Sequence, residues 1–526
     1  MDLWKDAQRR YRNSVVQISV TRGSWNLSEP YATPTTQEAK GSGFLITREG
    51  HILTNAHVVE AMLTVSFRAE RAGNKDLHAE LIRVCPQKDC ALLKATPEAL
   101  LELGDFEPLR FGDDQQLEQM QPVMTISYPL GSGIKFTSGV ASGYEASNAE
   151  GSGSQSYIQF DAPVSPGSSG SPLLNTKRLV VGVVSAGVAG GNAQNTNFAI
   201  PTRVVLSVIR ELFAVGNSDH QVISPPSLGL AFQRVTEAHF RMAGIERVED
   251  QKGLRVKEVI PGCPFPEVQV GDILQMIRYA DPYNLESSFD VENYMSKACT
   301  RCASEPDRVI VISSTGSINV FDLTDSSNPV EASFTRDRKV SLQEVIDTIP
   351  IDTVLTLEVL RPSAGKVGMT TGPFRNRDGL AIKKLYPPFD KLEYIEFGGS
   401  VFIPLSANVL DALGSTKYLC EFNPYRKRYK HRVLVTKLFP LTEIRNIDSI
   451  NPTEVVKSIN GVKISIIEDM ESAIYNAVQS NEFISITFRS QKVVVLDPQI
   501  AIQQDKVIHE RFQIKPNEFS LSLWSL

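Results

Sequence analysis

Gly167-Ser168-Ser169-Gly170-Ser171-Pro172 is the stretch on which the reading of this chain turns. Alone, a Gly/Ser run is most often a turn. Ser169 acquires chemical meaning from what precedes it, because a serine hydroxyl is a weak nucleophile. It needs an imidazole to accept its proton and a carboxylate to orient that imidazole. Both occur upstream: His57 in Leu53-Thr54-Asn55-Ala56-His57-Val58-Val59, and Asp89 in Asp89-Cys90-Ala91-Leu92-Leu93-Lys94. An apolar run follows each polar residue and reads as a buried strand flanking an exposed turn. His51, His78, His220, His239, His431 and His509 lack this context and are read as core or surface residues.

Four ordered motifs carry a family resemblance: TNAHVV (54–59), DCALLK (89–94), PGSSGSPL (166–173) and NFAIP (197–201). Together they resemble the HtrA/Deg family of ATP-independent serine proteases. The resemblance is close over residues 1 to about 215 and looser beyond, nearest in layout to plant-type Deg proteases. It implies a mainly β protein, with a chymotrypsin-like double β-barrel over 1–215 and two α+β PDZ-like domains over 226–370 and 371–526. It also implies roles: Ser169 as nucleophile, His57 as general base and acid, Asp89 as the orienting carboxylate, and the Gly167 and Ser169 N–H groups as the oxyanion hole.

Two positions depart from the family pattern. Ser168 stands where Asn is usual, and Ser171 stands where a second Gly is usual. A side chain at 171 enters a region of tight backbone packing, where small errors of geometry cost rate. In the resemblance the primary specificity pocket is walled by Ala162-Pro163-Val164, Val184-Ser185-Ala186-Gly187 and Asn197-Phe198-Ala199. Val164, Ala186 and Phe198 are its candidate lining, and no acid or base sits in the three stretches. Cleavage after small or medium apolar residues is expected. Asp161 is assigned to the strand before the loop and not to the pocket floor. Expected substrates are unfolded or misfolded proteins; the alternative is a catalytically silent HtrA-like chaperone or peptide-binding scaffold.

Composition agrees with a multidomain protein. The chain has 526 residues, 54 Lys and Arg against 60 Asp and Glu, and a net charge of -6. No global field for nucleic acid follows from this balance, and partners are expected to be proteins. No apolar run has the length of a membrane span. The six cysteines are scattered, and Cys299-Thr300-Arg301-Cys302 lacks the second pair or histidine of a zinc site, so neither metal nor cofactor is expected. Sparse cysteines and an N-terminus without a signal or transit pattern favour a cytoplasmic or nuclear location, with a processed organellar form as the alternative.

Along the chain, alternating strand-length segments fill residues 14 to 200, a helix is expected over 202–214, and 215–226 reads as a linker ending in Pro225-Pro226. Leu228-Gly229-Leu230 resembles the apolar-Gly-apolar loop with which PDZ domains hold peptide carboxyl termini; an ordinary β-turn is the plainer reading. Residues 342–349 resemble the groove helix. Roughly sixty residues from Arg278 onward read as an insertion with two strand-like runs. The last domain resembles the C-terminal PDZ-like domain of plant-type Deg proteases through 399–405, 455–461 and 492–497, which implies a role in assembly. The basic, aromatic-interleaved run 425–432 reads as a solvated loop, with nuclear targeting or an acidic partner as the alternatives. Near the N-terminus, Leu3, Ala7 and Tyr11 share one helical face with Trp4 beside it. Such a face suits docking onto the chain's own barrel or an interface, and the resemblance tips it toward a trimer-based homo-oligomer.

Overall fold

The computed structural model describes residues 4–73, 75–147, 155–185, 196–213, 221–242, 244, 252–280, 289–292, 308–313, 318–322, 330–331, 340–362, 366–374, 381–387, 389–423, 427–440, 442–446 and 450–526. They fall into two compact units. The first comprises 1–21, 38–60 and 64–378, and the second comprises 22–37, 61–63 and 379–526.

Two closed six-stranded barrels dominate the first unit. One is built from β1 (Val15–Ser24), β2 (Thr35–Leu45), β3 (His51–Thr54), β4 (Met62–Arg68), β5 (Leu77–Cys85) and β6 (Cys90–Ala95). The other is built from β7 (Pro122–Ser127), β8 (Lys135–Ser147), β9 (Gln155–Phe160), β10 (Pro172–Leu174), β11 (Val180–Val184) and β12 (Asn197–Pro201). Closure leaves no unpaired sheet edge in either barrel. The apolar runs noticed in the sequence are the inner strands: β6 reads buried at five of six positions and β11 at all five. Burying such runs on both faces removes nearly all their apolar area from water, at about 25 cal/mol per Å2.

The expected helix after β12 is divided into Thr202–Leu206 and Ile209–Phe213. Between them Ser207 turns its hydroxyl back onto the Val204 carbonyl, 2.7 Å away, which competes with continued helical bonding. At the other end of the domain, the short helix Lys5–Tyr11 buries Ala7 and Tyr11 in the core of the chain's own first unit, with Trp4 packed against it. Those two side chains are thereby occupied within the protomer. Leu3 lies outside the described residues.

The first unit continues into a sheet ordered β13 (Leu230–Arg234), β14 (Leu254–Val259), β15 (Ile273–Tyr279), β16 (Arg308–Ile312), β17 (Ile318–Asp322) and β18 (Val330–Glu331), with β19 (Val354–Arg361) pairing β15 and β20 (Lys366–Pro373) pairing β19. The insertion after Arg278 thus supplies strands that widen this sheet. Its helix, Leu342–Ile346, begins with a capping box in which Ser341 and Glu344 satisfy each other's backbone N–H groups.

The second unit holds a three-stranded sheet of β21 (Ile395–Phe397), β22 (Ser400–Pro404) and β23 (Val433–Leu438). A four-stranded sheet follows, of β24 (Val456–Ile459), β25 (Val462–Lys463), β26 (Ile484–Phe488) and β27 (Val493–Leu496). Phe397, Phe402, Ile474, Phe488 and Leu496 share its core. Among the described residues no helix is long and apolar enough to cross a membrane.

Candidate active site

The first barrel supplies two of the three predicted side chains. His57 lies in the turn that leaves β3, and Asp89 is the last residue before β6; pairing of Thr54 with Ala91 brings the two turns together. His57 Nδ1 is 2.9 Å from each Asp89 carboxylate oxygen. The His57 backbone N–H donates to Asp89 Oδ1 at 3.0 Å, and Ser185 Oγ donates to Oδ2 at 3.0 Å. A carboxylate so engaged holds the imidazole with Nδ1 toward it and Nε2 directed away. The side chains are 37% and 18% exposed, so the pair is open on one side only. Asp89 also acts on its surroundings: burial, with the Asp89 charge adding, pushes the Tyr157 hydroxyl up to about 12 and keeps it neutral.

Ser169 comes from the second barrel, in the turn between β9 and β10, and is 9% exposed. A residue that sequence reasoning passed over anchors this turn to the first barrel. Ser42 on β2 donates its N–H to the Ser169 carbonyl at 2.8 Å and its hydroxyl to the Gly167 carbonyl at 2.8 Å, while accepting the Tyr128 N–H at 3.0 Å. Gly170, at φ 88°, sits so close that a Cβ there would lie 2.1 Å from the Ser42 carbonyl and 2.4 Å from Thr54 Oγ1. Gly167, at φ 97°, would place a Cβ 2.8 Å from the Tyr128 carbonyl. Both glycines are required by left-handed backbone and by close approach. The available signal for Ser42 was its place in Gly41-Ser42-Gly43, where side chains at either glycine would collide with Val58 or with Ile18 and Ile52.

The two unusual serines are absorbed without an unsatisfied hydroxyl. Ser168 Oγ donates to Ser127 Oγ at 3.2 Å and accepts the Ser165 N–H at 3.3 Å. Ser171 Oγ is 2.9 Å from Thr125 Oγ1 on β7. The side chain at 171 is fully buried, and Thr125 provides its polar partner.

The candidate pocket residues are distributed differently. Val164 packs against the second barrel's interior with Ala162 and Ala199, whereas Phe198 packs against the set containing Tyr157, its ring edge-on at 6.2 Å. Alternation along β12 accounts for the difference, since Phe198 and its neighbours Asn197 and Ala199 point to opposite faces. Ala186 lies outside the described residues. Asp161 is exposed and accepts the Val140 N–H at 2.6 Å, which engages it with β8.

The Leu228-Gly229-Leu230 loop opens β13, whose sheet partner among the described residues is β14, so β13 stands at a sheet edge. Gly229 has φ 72°, and a Cβ there would meet Cys263 Cα at 2.7 Å. Leu228 and Leu230 are buried in the same cluster as Leu342, Val345 and Ile346. His51, by contrast, is structural: burial and the Lys94 charge lower it to about 4, and its ring packs on Phe213 at 4.7 Å. Cys299 and Cys302 lie outside the described residues. Cys85, Cys90, Cys263 and Cys420 are free thiols.

Comparison with known proteins agrees with this geometry. Residues 41–183 match the family of trypsin-like peptidase domains, and residues 389–520 match the PDZ domain family. A probable periplasmic serine endoprotease DegP-like of Marinomonas sp. is 30% identical over 240 residues, 44% of this chain and 47% of the relative. The putative serine protease HhoB of Synechocystis sp. is 31% identical over 248 residues, covering 45% and 56%. The serine protease Do-like HtrA of Bacillus subtilis is 28% identical over 270 residues, covering 47% and 59%. The chain spans about half the length of the curated relatives it matches. One expectation is overturned: relatives named as periplasmic point to an extracytoplasmic location and not to cytoplasm or nucleus. The sparse cysteines on which the expectation partly rested report redox chemistry only indirectly and do not fix a compartment.

Proposed function

We propose that the chain is a serine endopeptidase of the HtrA/Deg type that acts on unfolded or misfolded proteins. The observation that carries this reading is the His57–Asp89 pair at 2.9 Å in the first barrel, joined through Ser42 to the turn that presents Ser169. In the proposed reaction Ser169 Oγ attacks the scissile carbonyl as its proton passes to His57 Nε2. The Gly167 and Ser169 N–H groups receive the developing oxyanion. His57 then returns the proton to the leaving amine, and water repeats the sequence on the acyl-enzyme. Asp89 keeps its negative charge and stabilises the imidazolium.

Residues 1–215 form the catalytic domain in this reading, and 226–370 and 371–526 the two PDZ-like domains. The uncharged stretches around Val164, Ala186 and Phe198 favour cleavage after small or medium apolar residues. The edge of β13, which pairs only with β14 among the described residues, would take a peptide carboxyl terminus as an added strand beside Leu228, Gly229 and Leu230. Assembly into a homo-oligomer, trimer-based as the resemblance implies, is read out by light scattering of the full chain against its Trp4→Ala variant.

A fluorophosphonate probe, with Ser169→Ala as control and casein added as an unfolded substrate, tests the central proposal. Labelling of wild type alone supports it. Absence of labelling in wild type, with and without casein, would replace it with a silent binding module.

A further inference from the structure

The turn carrying Asp89 holds an unfavourable conformation. Asp89 has φ 48° and ψ 45°, in the left-handed region that residues other than glycine adopt at a cost. Such a conformation persists where the surroundings over-determine it. Three contacts do so here. Asp89 N–H closes the turn onto the Pro86 carbonyl at 3.1 Å, and Asn55 Nδ2 donates to the Asp89 carbonyl at 3.0 Å. The third is an ion pair at the preceding residue: Lys88 Nζ lies 2.5 Å from Asp347 Oδ1, with side chains only 4% and 11% exposed.

Asp347 belongs to a distant part of the first unit. It follows the helix Leu342–Ile346, its N–H bonds the Gln343 carbonyl, and its Oδ1 also accepts Gln343 Nε2 at 2.8 Å. The segment is further tied down where Ile351 N–H donates to the Ser207 carbonyl at 3.1 Å. Two charges withdrawn from water are held well only while both are present, because removing one leaves the other buried and unpaired. A lysine that merely tethered the chain would be freely solvated. This one is buried beside the residue whose carboxylate must face His57.

We propose that Lys88 and Asp347 form a positioning pair for the reaction, setting the backbone at residue 89 so that its carboxylate meets His57 Nδ1. Neither side chain touches the reacting atoms; both act through Asp89. The inference deepens the proposed catalytic reading and rests on it for its kinetic consequence, while its geometric core concerns the His57–Asp89 hydrogen bond alone.

The test uses the full chain with Asp347→Asn, Asp347→Glu, and the double variant Lys88→Met with Asp347→Leu. The double variant replaces the pair by apolar groups, so that neither charge is left buried alone, and its circular dichroism reports whether the fold is kept. Two properties are read: kcat and KM for casein, and the far-downfield proton resonance of His57 Nδ1–H, assigned with His57→Gln. For Asp347→Asn and the double variant the expected result is kcat lower by about 10- to 100-fold with KM little changed. The downfield signal should be lost or broadened in both, and recover at least in part in Asp347→Glu, with unchanged circular dichroism in the double variant. A double variant that keeps the wild-type signal would overturn the positioning role, whatever the kinetics. The signal does not require turnover, so wild type that fails to label with the fluorophosphonate sinks the protease proposal and leaves this test intact.

Discussion

Two glycine turns in this chain present backbone N–H groups from left-handed conformations, and they meet opposite fates. In the first unit Gly167, at φ 97°, precedes Ser169 in a turn that Ser42 ties to the first barrel. In the second unit Gly398 and Gly399, at φ 60° and 75°, join β21 to β22, and their N–H groups are taken by a carboxylate of the chain itself. Asp505 accepts them at 2.9 and 2.8 Å from the helix Pro498–Phe512. Local glycine chemistry is alike in both. What differs is the tertiary partner: a carboxylate from a distant helix fills the second turn, whereas Ser42 of the first barrel binds the carbonyl side of the first.

The largest expected effect concerns the Ser169 turn. Ser169→Ala should abolish casein cleavage, with a loss on the order of 10^6 in kcat if the triad acts as a unit; residual cleavage near wild-type rate would remove Ser169 from the mechanism. Next is Gly167→Ala, whose added Cβ meets the Tyr128 carbonyl and demands an unfavourable φ. Displacing one oxyanion donor should lower kcat on the order of 100- to 1,000-fold with a smaller effect on KM. Steady-state kinetics that show a rise in KM alone would argue that this turn binds substrate and does not stabilise the transition state.

The filled turn should respond in stability and not in catalysis. Asp505→Ala strips the partner from two buried N–H groups, at about 1–3 kcal/mol for each group left unsatisfied. Calorimetry should show a lower-melting transition for the second unit, while fluorophosphonate labelling of Ser169 keeps its wild-type rate. An unchanged melting profile would mean that the Gly398–Gly399 turn stands without its carboxylate.

The smallest effect is on pH dependence. Burial raises the Asp505 carboxyl to about 7 from its ordinary 3.8, against the opposing Gly399 and Gly398 N–H groups. His509 lies 2.9 Å from Glu396, and although burial works against its charge, the Glu396 hydrogen bond and the Glu396 and Asp505 charges raise it overall. Both folded values lie above the unfolded ones. The folded state therefore binds more protons through this window, and these groups contribute stability that declines as pH rises from about 4 through neutrality. The melting temperature of the second unit should fall between pH 5 and 8, and less steeply in Asp505→Asn. Equal slopes for the two proteins would show that Asp505 does not titrate as described.

Much of the candidate site was legible before any coordinates. His57, Asp89 and Ser169 stand in order, and the apolar run after Asp89 became β6 because strand pattern is a local property; Val58 and Val59, read as a strand after His57, lie instead in the turn that leaves β3. The inner strands of both barrels and the two strand-like runs after Arg278 were legible for the same reason, whereas the pairing that joins those runs to β15 was not. The helix expected as one piece over 202–214 was not, since the break at Ser207 depends on a side chain choosing a carbonyl over solvent. Nor were the supports of the triad legible: Ser42, Asn55, Ser185 and Lys88 are ordinary polar residues until packing aims them.

By itself, then, the sequence determined residue chemistry and its order: a pair of serines between glycines, a histidine and an aspartate upstream, and motifs that resemble one protease family. Those follow from residue type and near neighbours. Tertiary structure alone decided which groups meet. It placed Ser42 under the Ser169 turn, paired Lys88 with Asp347, and gave Ser171 a hydroxyl on β7. It also closed Asp505 over the glycine turn of the second unit. Each of these joins residues far apart in the chain. Such contacts depend on how buried surfaces fit and on whether every withdrawn polar group finds a partner, and neither is a property of any short stretch.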